Sequence, residues 1–288
     1  MAARSIPFAK AHGLGNDFLL VREADLARAA ASGIARLICD RHSGIGADGL
    51  VVLGDSQAAD ASFRIFNSDG SEAGLSGNAL RCAAAWLAAS RNLSSGRLMF
   101  DTRVGCRSPE LLSRRASYWI FRAEIGRPSF AAADVPFRPP KPVPEPICGF
   151  PMPVGDETVL ASIFSMGNPQ CTVFVEDWHG LDWKGLGAEL ERHPYFPDRA
   201  NIGLVRLLSS EKIEARFWER GAGHTLASGT GSCAAAVAAH LAGKTGRRVT
   251  VAVERGEMEV NWRDDGMVEL FGPAQITAEG TFYCNEEL

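Results

Sequence analysis

The chain has 288 residues, 46% hydrophobic and 22% charged, enough for two globular cores rather than one. Its 30 basic and 34 acidic side chains leave a formal net charge of −4 with no long run of one sign, which excludes the electrostatic footprint of a nucleic-acid binder and favours a small-molecule partner. No stretch is long and apolar enough for a membrane span, Met1–Phe18 lacks a signal-peptide core, and seven cysteines without a CxxC pair read as reduced thiols, so a cytoplasmic protein is expected.

In chain order, β-type runs are expected at Phe18–Arg22, Leu50–Leu53 and Ser62–Asn67. The last of these enters a polar, glycine-rich phrase from Asn67-Ser68-Asp69-Gly70 to Ser76-Gly77-Asn78, and an alanine-rich helix follows near Gly77–Ser90. After a run at Tyr118–Ile125, eight of the 15 prolines fall within Pro136–Pro153, a stretch closed to helix and to central strand. Its mid-chain position marks a boundary between halves 1–135 and 136–276. Beyond it come runs at Leu160–Met166, Thr172–Glu176, Ile202–Leu207 and Lys212–Trp218, then a second polar phrase from Glu219-Arg220-Gly221 to Ser228-Gly229-Thr230. An alanine-rich helix near Gly229–Ala242 and runs at Arg248–Val253, Glu257–Trp262 and Met267–Phe271 complete the order. Arg64 precedes Ser76 by 76 − 64 = 12 residues, and Arg216 precedes Ser228 by 228 − 216 = 12, the mark of an internal duplication.

The expected fold is α+β: two pseudo-symmetric domains, each a curled mixed or antiparallel sheet around a central alanine-rich helix. Both helices are apolar nearly all the way round, as helices are when a sheet covers most of their sides. Only the N-terminal end of such a helix stays open, and it carries free backbone N–H groups and a partial positive charge. Taken singly, Ser76 and Ser228 are ordinary N-caps. Taken as a pair, with glycines at 77 and 229 giving access to backbone N–H groups, they read as two half-sites for one anionic ligand. Six histidines without HxH or HExxH spacing give no reason to expect a metal.

A larger set of phrases is similar to the diaminopimelate epimerases: His12-Gly13-Leu14-Gly15-Asn16-Asp17-Phe18, Gly44-Ile45-Gly46-Ala47-Asp48-Gly49, Phe66-Asn67-Ser68-Asp69-Gly70-Ser71-Glu72, Gly167-Asn168-Pro169, His193-Pro194 with Phe196-Pro197, Asn201 and Glu219-Arg220-Gly221. They follow the family's order from near residue 6 to near residue 275. The resemblance implies a two-domain fold with residues 277–288 joining the first half, an active site in the cleft between halves, no pyridoxal phosphate or other cofactor, and a homodimer. It also implies inversion of one Cα of LL-diaminopimelate to the meso isomer, a thiolate taking the α-proton while a thiol on the opposite face returns one. A thiol suits that work because its pKa of about 8.5 is lowered at a helix N-terminus.

By the resemblance, Ser76 and Ser228 stand at the two cysteine positions and Gln170 where the family usually has histidine. Cys82 and Cys233 lie further on, inside the helices, as packing thiols. The substrate-holding residues match at Asn16, Asn67, Gly77, Asn78, Asn168, Asn201, Glu219, Arg220, Gly229 and Thr230. Arg220 suits a bidentate grip on a carboxylate, and Glu219 an ammonium group. Considered singly, the asparagines serve equally well in turns and caps. Three readings stay open: an epimerase in which Ser76, Ser228 and Glu219 move the protons, a substrate-binding but inactive variant, engineered or natural, and a carboxylate-based isomerase on the same fold using Asp69, Glu72 or Glu219.

Overall fold

A computed structural model describes residues 4–26 and 30–284, in two compact units: Met1–Ala123 with Gly272–Leu288, and Glu124–Phe271. The fold is α+β. The first unit holds β1 (Arg4–Gly13), β2 (Asn16–Arg22), a 3₁₀ turn (Glu23–Leu26), α1 (Ala31–Ile38), β3 (Gly49–Gly54), β4 (Ala61–Asn67), β5 (Glu72–Ala73), α2 (Gly77–Ser90), β6 (Gly96–Arg97), β7 (Phe100–Thr102), β8 (Gly105–Arg107) and β9 (Glu110–Arg115). The chain leaves it within β10 (Tyr118–Gly126). The second unit holds β11 (Ile147–Val154), β12 (Glu157–Ser165), β13 (Pro169–Val175), α3 (Trp183–Glu191), β14 (Asn201–Ser209), β15 (Lys212–Glu219), β16 (Gly223–Thr225), α4 (Gly229–Leu241), β17 (Arg248–Val253) and β18 (Gly256–Trp262). The chain returns to the first within β19 (Val268–Cys284).

The two units repeat one another at a constant offset, 229 − 77 = 152 between the starts of α2 and α4. Strand pairing keeps the same register. Phe18 pairs with Gly49 in the parallel pair β2–β3, and Gln170 with Asn201 in the parallel pair β13–β14. Leu50 pairs with Phe66 and Ile65 with Ala73 in antiparallel β3–β4 and β4–β5; Ile202 with Trp218 and Phe217 with Thr225 repeat them. Each sheet is therefore mixed, with hairpins and two kinds of parallel crossover, β2–β3 and β4–β7 in the first unit, β13–β14 and β15–β17 in the second.

Residues 78–85 of α2 and 231–239 of α4 are buried without a break, which no amphipathic surface helix achieves. Alanine makes this possible, since Ala83, Ala84 and Ala85 let strands approach from several sides. Around α2 the large side chains Phe63, Phe100, Trp119 and Phe121 close the core, each worth about 1.5–3 kcal/mol of burial before entropy is counted. On the opposite face of β3 and β4, α1 packs Ile34, Ala35 and Ile38 against Leu50, Val52 and Phe66.

The proline-rich stretch differs from its expected role. Val135, Phe137, Ile147 and Met152 are buried in the core of the second unit, so the crossing falls earlier, at Ala123/Glu124, and the return earlier, at Phe271/Gly272. Part of the stretch is β11, which pairs with β12 alone among the described strands; Pro151 and Pro153 are tolerated there because an edge strand leaves backbone N–H groups unused. Among the described residues, no helix is long and apolar enough to cross a membrane.

Candidate active site

In the first unit the site is built on the entry to α2. Ser76 has extended backbone (φ −133°, ψ 127°), and its Oγ accepts the Ala79 N–H at 3.3 Å, which is N-capping. A Cβ placed on Gly77 would meet nothing nearer than Arg81 Nη1 at 3.8 Å, so packing does not require glycine there. Asn78 is buried; its Nδ2 donates to Asn16 Oδ1 at 3.0 Å and its Oδ1 accepts from Arg81 Nη2. Arg81 is buried beneath the helix start and also donates to Gly77 O at 3.3 Å and Pro273 O at 3.1 Å.

Asn16 in turn donates to Asp48 Oδ2 at 2.7 Å. Asp17 and Asp48 exchange backbone and side-chain hydrogen bonds at 3.1 Å, and Arg41 bridges both carboxylates at 2.8 Å. Burial alone would raise the Asp17 pKa, but Arg41 and Lys10, the latter at 3.1 Å, hold it below the usual carboxylate value. Two of the phrases noted in the sequence, around Asn16 and Asp48, are thus one hydrogen-bonded unit that fixes Asn16 against Asn78. Asn67 is exposed at the end of β4 and donates to Ser71 Oγ at 2.9 Å. Asp69 accepts from the Ser71 N–H and hydroxyl, and Glu72 grips Arg64 through Nε at 2.9 Å. Both carboxylates are occupied in holding their own turn.

In the second unit Ser228 caps α4 with the same backbone geometry (φ −127°, ψ 126°), its Oγ accepting the Gly231 N–H at 3.1 Å. Here the hydroxyl has a further partner, donating to Glu219 Oε1 at 2.6 Å. Gly229 is as unconstrained as Gly77, a Cβ there reaching only Leu270 Cδ2 at 3.5 Å. Gln170, buried, donates to Asn168 Oδ1 at 2.7 Å and more weakly to Thr230 Oγ1 at 3.4 Å. Asn201 donates to Pro169 O at 3.0 Å and accepts the Arg220 backbone N–H at 3.0 Å, joining β13 to the turn after β15. The Arg220 side chain is exposed, resting on Asp198 O at 3.3 Å.

A model of diaminopimelate epimerase matches residues 8–130 and 162–277. The chain belongs to the diaminopimelate epimerase family. It is 42% identical over 277 residues to the diaminopimelate epimerase of Pelotomaculum thermopropionicum, covering 96% of this chain and 98% of the relative. It is 41% identical over 275 residues to that of Desulforudis audaxviator, covering 95% and 98%. Among solved structures, a predicted epimerase from Pseudomonas aeruginosa superposes with a TM-score of 0.66 at 16% identity over 96% of this chain and 98% of the other. A methylitaconate-Δ-isomerase superposes with a TM-score of 0.65 at 14% identity, covering 98% and 96%. Those two share the fold.

Within this family frame, Cys82 is fully buried among Ala79, Phe63 and Phe100, and burial pushes its thiol up to about 12, as packing thiols behave. Cys233 is buried within α4.

Sequence reading missed one residue of structural weight, Glu191, the last residue of α3. Its carboxylate accepts from the Gly221 N–H at 2.9 Å, Trp218 Nε1 at 3.2 Å and Arg199 Nη1 at 3.4 Å, and so anchors the turn that carries Glu219 and Arg220. Burial pushes its pKa up, and the Gly221, Trp218 and Arg199 bonds more than offset that, leaving it below the ordinary value. The available signal was a glutamate one step beyond Leu190 and four beyond Gly187, on the buried face of a short helix.

Proposed function

We propose that the chain inverts one Cα of diaminopimelate between the LL and meso isomers without a cofactor, Ser76 and Ser228 standing at the two proton-transfer positions. The observation that carries the reading is the hydrogen bond from the Ser228 hydroxyl to Glu219 Oε1 at 2.6 Å. A free alkoxide is out of reach: an alcohol, like water, holds its proton far more tightly than a thiol with its pKa of about 8.5, a gap of about 10 kcal/mol. A helix N-terminus supplies at most about 2 kcal/mol of that.

A relay avoids the alkoxide. Ser228 Oγ takes the α-proton as its own proton passes to Glu219, while Ser76 gives its hydroxyl proton to the other face of Cα in concert with taking one from solvent, and Glu219 then returns its proton to solvent. The free N–H groups at the starts of α2 and α4 serve the substrate α-carboxylate as charge grows at Cα. Arg220 holds the distal carboxylate, and Asn16, Asn67, Asn78, Asn168, Asn201 and Thr230 complete recognition, with Gly77 and Gly229 leaving their backbone open. The working form is a homodimer in the cytoplasm, a state that light scattering on the eluted protein checks.

Incubation with LL-diaminopimelate in D₂O tests the chemistry. Slow deuterium entry at Cα is expected, rising steeply in the Ser76→Cys/Ser228→Cys double variant. No gain in that variant, together with no heat on titrating either isomer, would remove diaminopimelate as the substrate. Binding without exchange would leave the second reading, a form that recognises but does not invert. Of the carboxylates weighed for isomerase chemistry, Glu219 alone favours that alternative, because Asp69 and Glu72 are committed to Ser71 and Arg64.

A further inference from the structure

A cavity of about 470 Å³ opens in the first unit, lined by Glu23, Leu26, Ala31, Arg64, Phe66 and Glu72 among others. It lies on the face of β4 opposite α2, since Phe63 and Ile65 point into the α2 core while Arg64 and Phe66 alternate to the other side. Its volume falls within the range of small-molecule sites.

The internal repeat indicates what such a place holds. At the offset of 152, Leu26 answers to Trp178, Ala31 to Trp183, Arg64 to Arg216, Phe66 to Trp218 and Glu72 to His224. In the second unit the Arg216 guanidinium lies 4.1 Å from the Trp178 ring centroid and 5.4 Å from that of Trp183. His224 packs edge-on to Trp183 at 4.9 Å. Leucine and alanine at the equivalent positions of the first unit are far smaller than two indoles, and the volume they leave is the cavity. Arg64 retains one aromatic neighbour, Phe66 at 4.9 Å, while its edge is held by Glu72 through Nε at 2.9 Å and Nη2 at 3.3 Å. A flat ring stacked on that guanidinium gains the cation–π attraction that the second unit obtains from its own tryptophans. Among the described lining residues, Glu23 and Glu72 against Arg64 leave one negative charge in excess, which favours a cationic ligand.

We propose that this cavity binds a small molecule carrying a planar aromatic ring and an ammonium group, the ring stacked on Arg64 and the ammonium facing Glu23. The site is independent of the epimerase chemistry. Calorimetric titration with tryptamine tests it, with indole-3-acetate as the same ring of opposite charge. Saturable 1:1 tryptamine binding on the order of 1 mM or tighter is expected, with indole-3-acetate roughly tenfold weaker or worse. Ala31→Trp, which installs the second unit's own side chain, should weaken tryptamine roughly tenfold or more without lowering Tm, and Glu23→Gln should erase the preference for the amine. No saturation by about 10 mM, or unchanged affinity in both variants, overturns the proposal. Should Ala31→Trp fail to fold by circular dichroism, Glu23→Gln decides alone: loss of the charge preference upholds the site and its retention overturns it.

Discussion

Replacing Glu191 by alanine is expected to destabilise the fold by about 2–4 kcal/mol at pH 7, on a charge-assisted hydrogen bond being worth about 1.5–3 kcal/mol. The buried carboxylate ends α3, where the negative end of the helix disfavours it, so its three donors must supply more than burial and dipole cost together. Gly221 is at the surface and regains water when its acceptor is removed, while the half-buried Trp218 regains little, which is why the estimate stays below the full sum. Urea unfolding of the wild type, Glu191→Ala and Glu191→Gln measures it. The folded pKa of Glu191 is lowered, so its contribution is complete above the ordinary value of 4.5 and is lost as pH falls through the folded value. The stability gap between wild type and Glu191→Gln should therefore narrow in acid. A gap under about 0.5 kcal/mol at pH 7, or one that stays constant down to about pH 3, would refute the reasoning.

Gly77→Ala and Gly229→Ala should each change stability by less than about 0.5 kcal/mol, since the added methyl meets only ordinary contacts, yet weaken diaminopimelate binding roughly tenfold if the ligand approaches the backbone there. Equal effects of each on Tm and on calorimetric affinity would contradict the proposed role. Gly231→Ala is the contrasting case: its Cβ would lie 2.8 Å from Phe217 Cδ1 and 2.9 Å from Ser228 Oγ, so a loss of about 1–3 kcal/mol in thermal unfolding is expected. Of the seven cysteines, Cys106 and Cys148 are exposed and should react with a thiol reagent in the native protein, whereas Cys82 and Cys171, each pushed up to about 12 by burial, should react only on unfolding, as mass mapping after labelling will record.

The elements legible in the sequence are those whose pattern is local. Arg248–Val253 was readable end to end because Val249, Val251 and Val253 alternate with Arg248, Thr250 and the small Ala252, and α2 and α4 because an alanine-rich run follows a serine cap. α1 escaped notice because Ser32 and Gly33 are weak helix formers; its helix is held by Ile34, Ala35 and Ile38 against the sheet, a tertiary term absent from local propensity. α3, with Gly185 and Gly187, is a second instance. β1 hides because Pro7 interrupts it and alanine fills its core positions 9 and 11, while β19 runs on through Gly272-Pro273, a pair that reads as punctuation. The Pro273 carbonyl has a use there, accepting from Arg81 Nε. At the site the caps are readable because serine bonds an amide three residues on; Asp48 on Asn16 and Glu191 on Gly221 are not, because each partner lies about thirty residues away in sequence and only tertiary structure brings them together, the pairing of β2 with β3 in the first case and the packing of α3 on β15 in the second.

The repeat gives both units the same serine cap and gives only one of them a carboxylate beside it. At the offset of 152, Asn67 answers to Glu219, so Ser76 has a neutral amide at the equivalent position while Ser228 donates to Glu219 at 2.6 Å. Under the proposed epimerase reading the two hydroxyls then cannot be interchangeable. Ser228 can pass a proton on as it takes one, whereas Ser76 would have to become an alkoxide to act as a base, at a cost of about 10 kcal/mol that its helix end does not offset. Ser76→Ala is accordingly expected to retain deuterium entry at Cα from one isomer of diaminopimelate, the proton leaving and returning on the Ser228 face, with inversion lost. Ser228→Ala and Glu219→Gln should lose both exchange and inversion, by roughly 100-fold or more for removal of a general base. Nuclear magnetic resonance of each isomer in D₂O separates the two outcomes. Equal exchange by Ser76→Ala and Ser228→Ala would mean that Glu219 is only a partner for the Ser228 cap, and that a symmetric skeleton carries symmetric chemistry after all.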